Sequence, residues 1–211
     1  MQEAIKLLMT FDAGESPTWR ELLIPRHATA ADLGRWLAIA AGYKGTESWE
    51  ILCREFKMRI TEDRALLNEA KALKAERAAE AEAKGEEVEE KPGETVIVYA
   101  GDLPLWPFLK EHPNLTFLYD MTDEWRWRLS AEPMDEAVDG DLPRLVQGIG
   151  TAPFVGVGGL QGYYDVLAHL TENGPQADEI RDWLEGQDLY FFDADRVQAA
   201  LKVFAAERKN R

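Results

Sequence analysis

The stretch YDMTDEWRWRL, residues 119–129, decides how this chain folds. Trp125, Trp127 and Leu129 alternate with Glu124, Arg126 and Arg128. A period of two belongs to a β-strand, whose successive side chains point to opposite faces. The tryptophans therefore face one way, into packing, and the charges face the other. Leu115 to Tyr119 is a second apolar run, and DMTD between the two runs reads as the turn of a hairpin.

Working outward, Ile5–Phe11 and Trp19–Ile24 form a second antiparallel hairpin across DAGESPT, where Gly14, Ser16 and Pro17 supply turn chemistry. Thr29 then N-caps a helix with Asp32 in capping-box position. Leu33, Trp36, Leu37, Ala40 and Ala41 recur at helical spacing before Gly42. One strand is expected over Trp49–Met58, with Trp49, Ile51 and Cys53 on one face, and TVIVYA (95–100) reads as a buried strand. PLWPFLKEHPN, with three prolines, is a loop or a brief helix. Near the C-terminus, Tyr163, Val166, Leu167 and Leu170 share a helix face. Pro175 opens another helix that runs through Ile180, Trp183 and Leu184 to Gly186, and Asp193 caps a last one carrying Val197, Ala200, Leu201 and Phe204.

Between Thr61 and Pro92 the chain turns to Ala, Glu, Lys, Leu and Arg, and its apolar stripe (Leu66, Ala70, Leu73) lasts about two turns. This is a charged helical insertion, residues 61–93, solvated rather than packed. The expected architecture is a single α+β domain spanning residues 1–211: a mixed, mostly antiparallel sheet with one early helix, the inserted arm and a C-terminal helical layer.

Composition narrows the function classes. A chain that is 45% hydrophobic with seven tryptophans can bury a substantial core. Its formal charge of −15, from 39 acidic against 24 basic residues, repels phosphate backbones and disfavours nucleic acid as a partner. The single cysteine, Cys53, allows neither an intrachain disulfide nor a thiolate zinc cluster. MQEAIKLLMTF lacks a basic region before a long apolar run, and no stretch approaches the ~20 apolar residues of a membrane span, so a cytoplasmic location without membrane contact is expected.

The glycine-rich GIGTAPFVGVGGLQGYY, residues 148–164, invites comparison with phosphate loops. Gly162, however, is followed by Tyr163 where a Walker loop has lysine, and a dinucleotide pattern starting at Gly156 and Gly158 needs glycine where Gln161 stands. These glycines therefore serve backbone geometry. His27, His112 and His169 show no metal-ligand spacing, Cys53 has no adjacent histidine, and the acidic DEAVDGD (135–141) lacks the ligand positions of an EF-hand. Neither a metal nor a cofactor is expected.

Several segments in order carry a family resemblance. Pro17-Thr18-Trp19-Arg20, Ala31-Asp32-Leu33 with Gly42-Tyr43, Tyr119-Asp120 with Asp123-Glu124-Trp125, Gly158-Gly159 with Gly162-Tyr163, and Phe192-Asp193 with Val197 are similar to the plasmid pRiA4b Orf-3-like family. The resemblance covers nearly the whole chain except residues 61–93. Members are often labelled transposon passenger proteins, resolvase-like by genetic neighbourhood, which implies a bacterial, mobile-element setting. This chain departs from the family at polar positions. Glu47 and Trp49 stand where relatives carry a histidine pair, and Trp127 where they carry a further histidine. Ala152 to Gly159 replaces a run with two cysteines and two acids, and Thr122 replaces a turn glycine. If relatives bind a metal there, the resemblance implies that this chain does not.

The favoured function is a non-enzymatic interaction or small-ligand-binding module with a groove between sheet and C-terminal helices, because no catalytic set is complete. Its residues would come from Trp19, Arg20, Asp120, Asp123, Trp125, Gly158, Gly159 and Tyr163, and its partner is an unidentified protein or small molecule. One alternative is a hydrolase or metal-assisted enzyme in which Asp120, Asp123 and Glu124 converge with Asp165. The other, taken from the transposon label, is a nucleic-acid-associated accessory protein using a stripe of Arg20, Arg54, Arg126 and Arg128.

Overall fold

The computed structural model describes residues 1–13, 17–85, 94–184 and 191–209. Among them, eight strands form one sheet: β1 Ala4–Phe11, β2 Trp19–Pro25, β3 Trp49–Cys53, β4 Met58–Thr61, β5 Val96–Tyr99, β6 Asn114–Tyr119, β7 Trp125–Pro133 and β8 Arg144–Ile149. Six helices accompany them: α1 Ala30–Ala41, α2 Arg64–Lys84, α3 Leu105–Glu111, α4 Gly159–Glu172, α5 Pro175–Trp183 and α6 Ala194–Lys209. The strand order is β5-β4-β3-β6-β7-β1-β2-β8. Every neighbouring pair is antiparallel except β4 and β5, so the protein is α+β with a mixed, mostly antiparallel sheet.

The hairpin of β6 and β7 lies near the middle of the sheet. Its register aligns Phe117 with Trp127 and Tyr119 with Trp125, and Trp127 in turn faces Phe11 of β1. A row of large side chains, Ile51, Phe117, Trp127 and Phe11, thus crosses four strands on one face, all buried. Cross-strand aromatic pairs of this kind hold a sheet's register as well as its core. The same hydrophobic core contains Leu33, Trp36, Leu37 and Ala40 of α1, Leu105, Phe108 and Leu109 of α3, and Val197 and Leu201 of α6.

Helix α1 begins with the expected capping box: the Asp32 amide donates to Thr29 Oγ1, and the Thr29 amide donates to Asp32 Oδ2. It ends at Gly42, whose φ of 100° is left-handed. Against β3 the helix packs so closely that a Cβ at Gly34 would come within 2.3 Å of the Trp49 ring. Helices α4 and α5 form a satellite layer around Phe154, Leu184, Leu167, Leu170 and Ile180. Asp193 caps α6 by accepting from the Arg196 amide.

The strands depart from expectation at three points. The strand expected over Trp49–Met58 is two strands, because the chain reverses at Arg54–Lys57, where Lys57 takes φ 47° and its amide donates to the Arg54 carbonyl. No Gly, Pro, Asn or Asp marks that turn. The edge strand β8 was not expected, and of its residues only Gly148 and Ile149 belong to the glycine-rich segment 148–164; β5, expected to be buried, is the opposite edge of the sheet, with Val96 52% exposed. The charged insertion contains α2, which is capped by Asp63 and Gly85, buries no residue, and follows β4 and precedes β5 in the chain, two strands that pair in parallel. PLWPFLKEHPN contains the brief helix α3. Gly14, Ser16, Pro92, Gly93 and Gly186, expected at turns or segment ends, lie outside the described residues.

Candidate functional site

The turn between β6 and β7 is built by its own acids. Asp120 takes φ 59° and its Oδ1 accepts from the amides of Thr122 (2.9 Å) and Asp123 (3.4 Å), while the Glu124 amide donates to the Asp120 carbonyl. Short polar side chains tolerate this left-handed backbone and bond to it locally. Thr122, standing where the family has glycine, is part of that network. The turn presents the next carboxylate, Asp123, to the glycine-rich segment.

There Asp123 Oδ2 accepts from the amides of Gly156 (2.7 Å) and Val157 (3.2 Å), and Oδ1 accepts from those of Gly158 (3.1 Å) and Gly159 (2.9 Å). Gly156, Gly158 and Gly159 have φ of 86°, 84° and 74°, the left-handed region that turns successive N–H groups toward one point. Gly162 is required for a different reason, since a Cβ there would overlap the Val157 carbonyl. The loop therefore is an anion-binding nest at the start of α4, and its anion is the protein's own carboxylate, 6% exposed. The spacing of the glycines showed which cofactor loops this was not. Pairing with an acid more than thirty residues upstream was not readable from it.

Trp125 and Trp127 are 1% and 0% exposed. Phe11 stands 6.2 Å from the first ring and 5.2 Å from the second, and Tyr163 of α4 meets Trp125 edge-on at 6.3 Å. Trp125 and Tyr163 thus join the satellite layer to the sheet. Trp19 is half-buried on β2, in register with Thr10 and Ile149. Trp49 and Trp127, at positions where the resemblance places histidine, are buried, and Ala152 and Val157, where it places cysteine, pack against the core.

Arg20 is the most unusual charge in the molecule. It is 0% exposed, yet its guanidinium meets no carboxylate among the described residues. Nε donates to the Ala40 carbonyl at 2.9 Å, Nη1 to those of Trp19 (2.8 Å) and Ile149 (2.6 Å), and Nη2 to that of Gly150 (2.8 Å). The Phe192 ring covers it, with the guanidinium carbon 3.5 Å from the ring centroid. Burial draws its pKa down to about 10, against a smaller opposing influence of Tyr43. Gly148 makes the space, because a Cβ there would lie 2.7 Å from Arg20 Cδ.

Arg20 lies at the wall of a cleft of about 530 Å³. Gly42, Tyr43 and Lys44 bound it after α1, Thr151–Phe154 after β8, and Phe192, Arg196, Val197 and Ala200 at α6. Tyr43 stacks on Tyr119 with ring centroids 4.2 Å apart and planes at 1°. Its hydroxyl is buried beside the Trp127 indole, the two out of hydrogen-bond geometry, and desolvation raises its pKa. Lys44 and Arg196 are exposed and ion-paired with no described residue.

The remaining candidates are dispersed in their partnerships. Glu124 pairs with Arg126, and exposed Asp165 accepts from Gln161 Nε2 at 3.0 Å. Arg128 pairs with Asp12 at 3.0 Å, Arg54 sits in the exposed turn after β3, and Arg20 is interior, so the four arginines share no surface stripe. His27 is exposed, His112 packs between Phe56 and Phe108, and His169 lies beside Glu172. Among the described residues no group of three or more His, Cys, Asp or Glu side chains is gathered to hold a metal, and no helix is long and apolar enough to cross a membrane.

Among solved structures, the chain is similar to the crystal structure of a protein of unknown function from Methanosarcina mazei Go1. The identity is 18% and the TM-score 0.64, over 93% of this chain and 97% of that one, a likeness of fold. No curated protein matches the chain. The family model described as plasmid pRiA4b ORF-3-like protein matches residues 3–200, from β1 into α6, and the chain belongs to that family.

Proposed function

We propose that the protein is a non-enzymatic binding module that takes a small ligand in the cleft between α1, residues 151–154 and α6. The observation that carries this reading is the cleft itself, about 530 Å³ with aromatic walls and, behind them, a buried guanidinium paired with no described carboxylate. Clefts of roughly 300–1,000 Å³ lined by apolar groups and a few polar ones suit metabolite-sized ligands. Further support comes from what is already engaged: Asp123 fills the glycine nest, and Asp120 holds its own turn. Of the candidate groove residues, Arg20 lines the cleft, whereas Trp19, Asp120, Asp123, Trp125, Gly158, Gly159 and Tyr163 do not. In this reading the protein works in a bacterial cytoplasm as an accessory product of mobile DNA, as the family resemblance implies.

A thermal-shift screen of metabolite-sized compounds on the wild type and on Ala200→Trp tests the reading. A ligand present at ~100 times its Kd stabilises the folded state by about 2.7 kcal/mol. The expected result is one or more stabilisers of the wild type that lose their effect on Ala200→Trp, whose indole fills the cleft from an exposed helix position. Stabilisers acting equally on both proteins, or turnover of a compound in the screen, would contradict it.

A further inference from the structure

Resting on the cleft as the binding site, we infer that its ligand is a small organic anion, one carboxylate or phosphate group carried on a flat apolar body. Three observations converge on this class. The first is charge: the chain as a whole is at −15, yet among the described residues the cleft presents Lys44 and Arg196 at its rim and Arg20 in its wall, against Asp193 alone. Asp193 is partly engaged, since its Oδ1 accepts from the Arg196 amide at 2.9 Å. The local excess of positive charge thus opposes the sign of the molecule, and a patch of that kind selects ligands and speeds their arrival.

The second observation is the burial of Arg20. A cation buried among carbonyl dipoles and an aromatic ring, and paired with no described carboxylate, keeps much of its field, because it is removed from bulk solvent. Phe192 lies over the guanidinium, so an anionic head group need not touch Arg20. It can sit at the Lys44 and Arg196 rim and feel the charge through a low-dielectric wall. The third observation is the wall's shape. Tyr43, Pro153, Phe154, Phe192, Val197 and Ala200 present rings and aliphatic surface, which a charged group alone would leave unused. An anion with a flat apolar body uses both.

Calorimetric titration of the full chain with naphthoate, naphthyl phosphate and neutral naphthamide tests the class. At least one of the two anions should bind, and the tighter of them names the head group. Naphthamide should bind at least about tenfold more weakly, a difference of roughly 1.4 kcal/mol. Reversing both rim charges, Lys44→Glu with Arg196→Glu, should weaken the anions about tenfold or more while leaving the melting temperature near that of the wild type, because both side chains are exposed. Ala200→Trp should block all binding. If naphthamide binds as tightly as the anions and Ala200→Trp blocks all three, the anionic class is wrong and the cleft stands. If anions bind regardless of Ala200→Trp and of charge reversal, both the class and the cleft fall. Absence of binding by all three probes overturns the anionic inference, and a stabiliser from the screen that Ala200→Trp blocks would still uphold the cleft.

Discussion

Asp123 brings one negative charge to four backbone N–H groups, and its replacement separates charge from shape. Asp123→Asn keeps the volume but turns an NH₂ donor toward two of those four donors. Hydrogen bonds to a charged group contribute about 1.5–3 kcal/mol each, so we expect Asn to cost at least ~2 kcal/mol, close to the cost of Ala. Chemical denaturation measures this; an unchanged midpoint for Asp123→Asn would mean that the glycine loop holds its own shape. Trp125→Ala, by contrast, removes a side chain 1% exposed, between Phe11 and Tyr163. A loss of ~3–5 kcal/mol is expected, and Trp127→Ala should behave alike. A wild-type midpoint for Trp125→Ala would identify that tryptophan as a ligand platform instead. The inward direction of both tryptophans was legible from period two alone. The role of Asp123 was not, because a nest forms between segments that only tertiary structure brings together. Arg20 was legible as a candidate but not as a buried charge: a single arginine on an alternating strand looks the same whether carbonyls or solvent receive it.

Elements were legible where local chemistry agreed with burial. The capping box and Gly42 delimited α1 because both act through adjacent backbone. What the helix touches was invisible, and Gly34 is the example: as a helix residue it reads as a weak point, worth roughly 1 kcal/mol to replace with alanine. In the structure a Cβ there meets the Trp49 ring at 2.3 Å, so Gly34→Ala should destabilise the protein despite the better helix propensity. A raised melting temperature would show that α1 can lift from β3. The charged insertion offers the opposite case. Leu73 on α2 is 47% exposed, and Leu73→Asp should change stability by no more than about 0.5 kcal/mol; a larger loss would reveal packing against that helix. The β3–β4 reversal and strand β8 escaped notice for a shared reason. A turn of Arg54, Glu55, Phe56 and Lys57 and an edge strand containing glycine both lack the signals that propensity supplies, and their form is imposed by pairing with neighbouring strands.

At the scale of the whole molecule, charge and packing separate the surfaces. Helices α1, α3 and α6 share one core with the sheet, α4 and α5 form a satellite layer held to it through Tyr163 and Trp125, and the cleft lies beside α1 and α6 with cations in an acidic protein. The glycine nest and this cleft are both places where an anion could be received. Asp123 occupies the first, and the proposed ligand takes the second. Amide chemical-shift mapping of the isotope-labelled protein during titration with naphthoate distinguishes them directly. Shifts are expected at Gly42, Lys44, Thr151 and Arg196, with the amides of Gly156, Val157, Gly158 and Gly159 unmoved; shifts led by those four loop amides, with the cleft residues silent, would contradict ligand binding in the cleft.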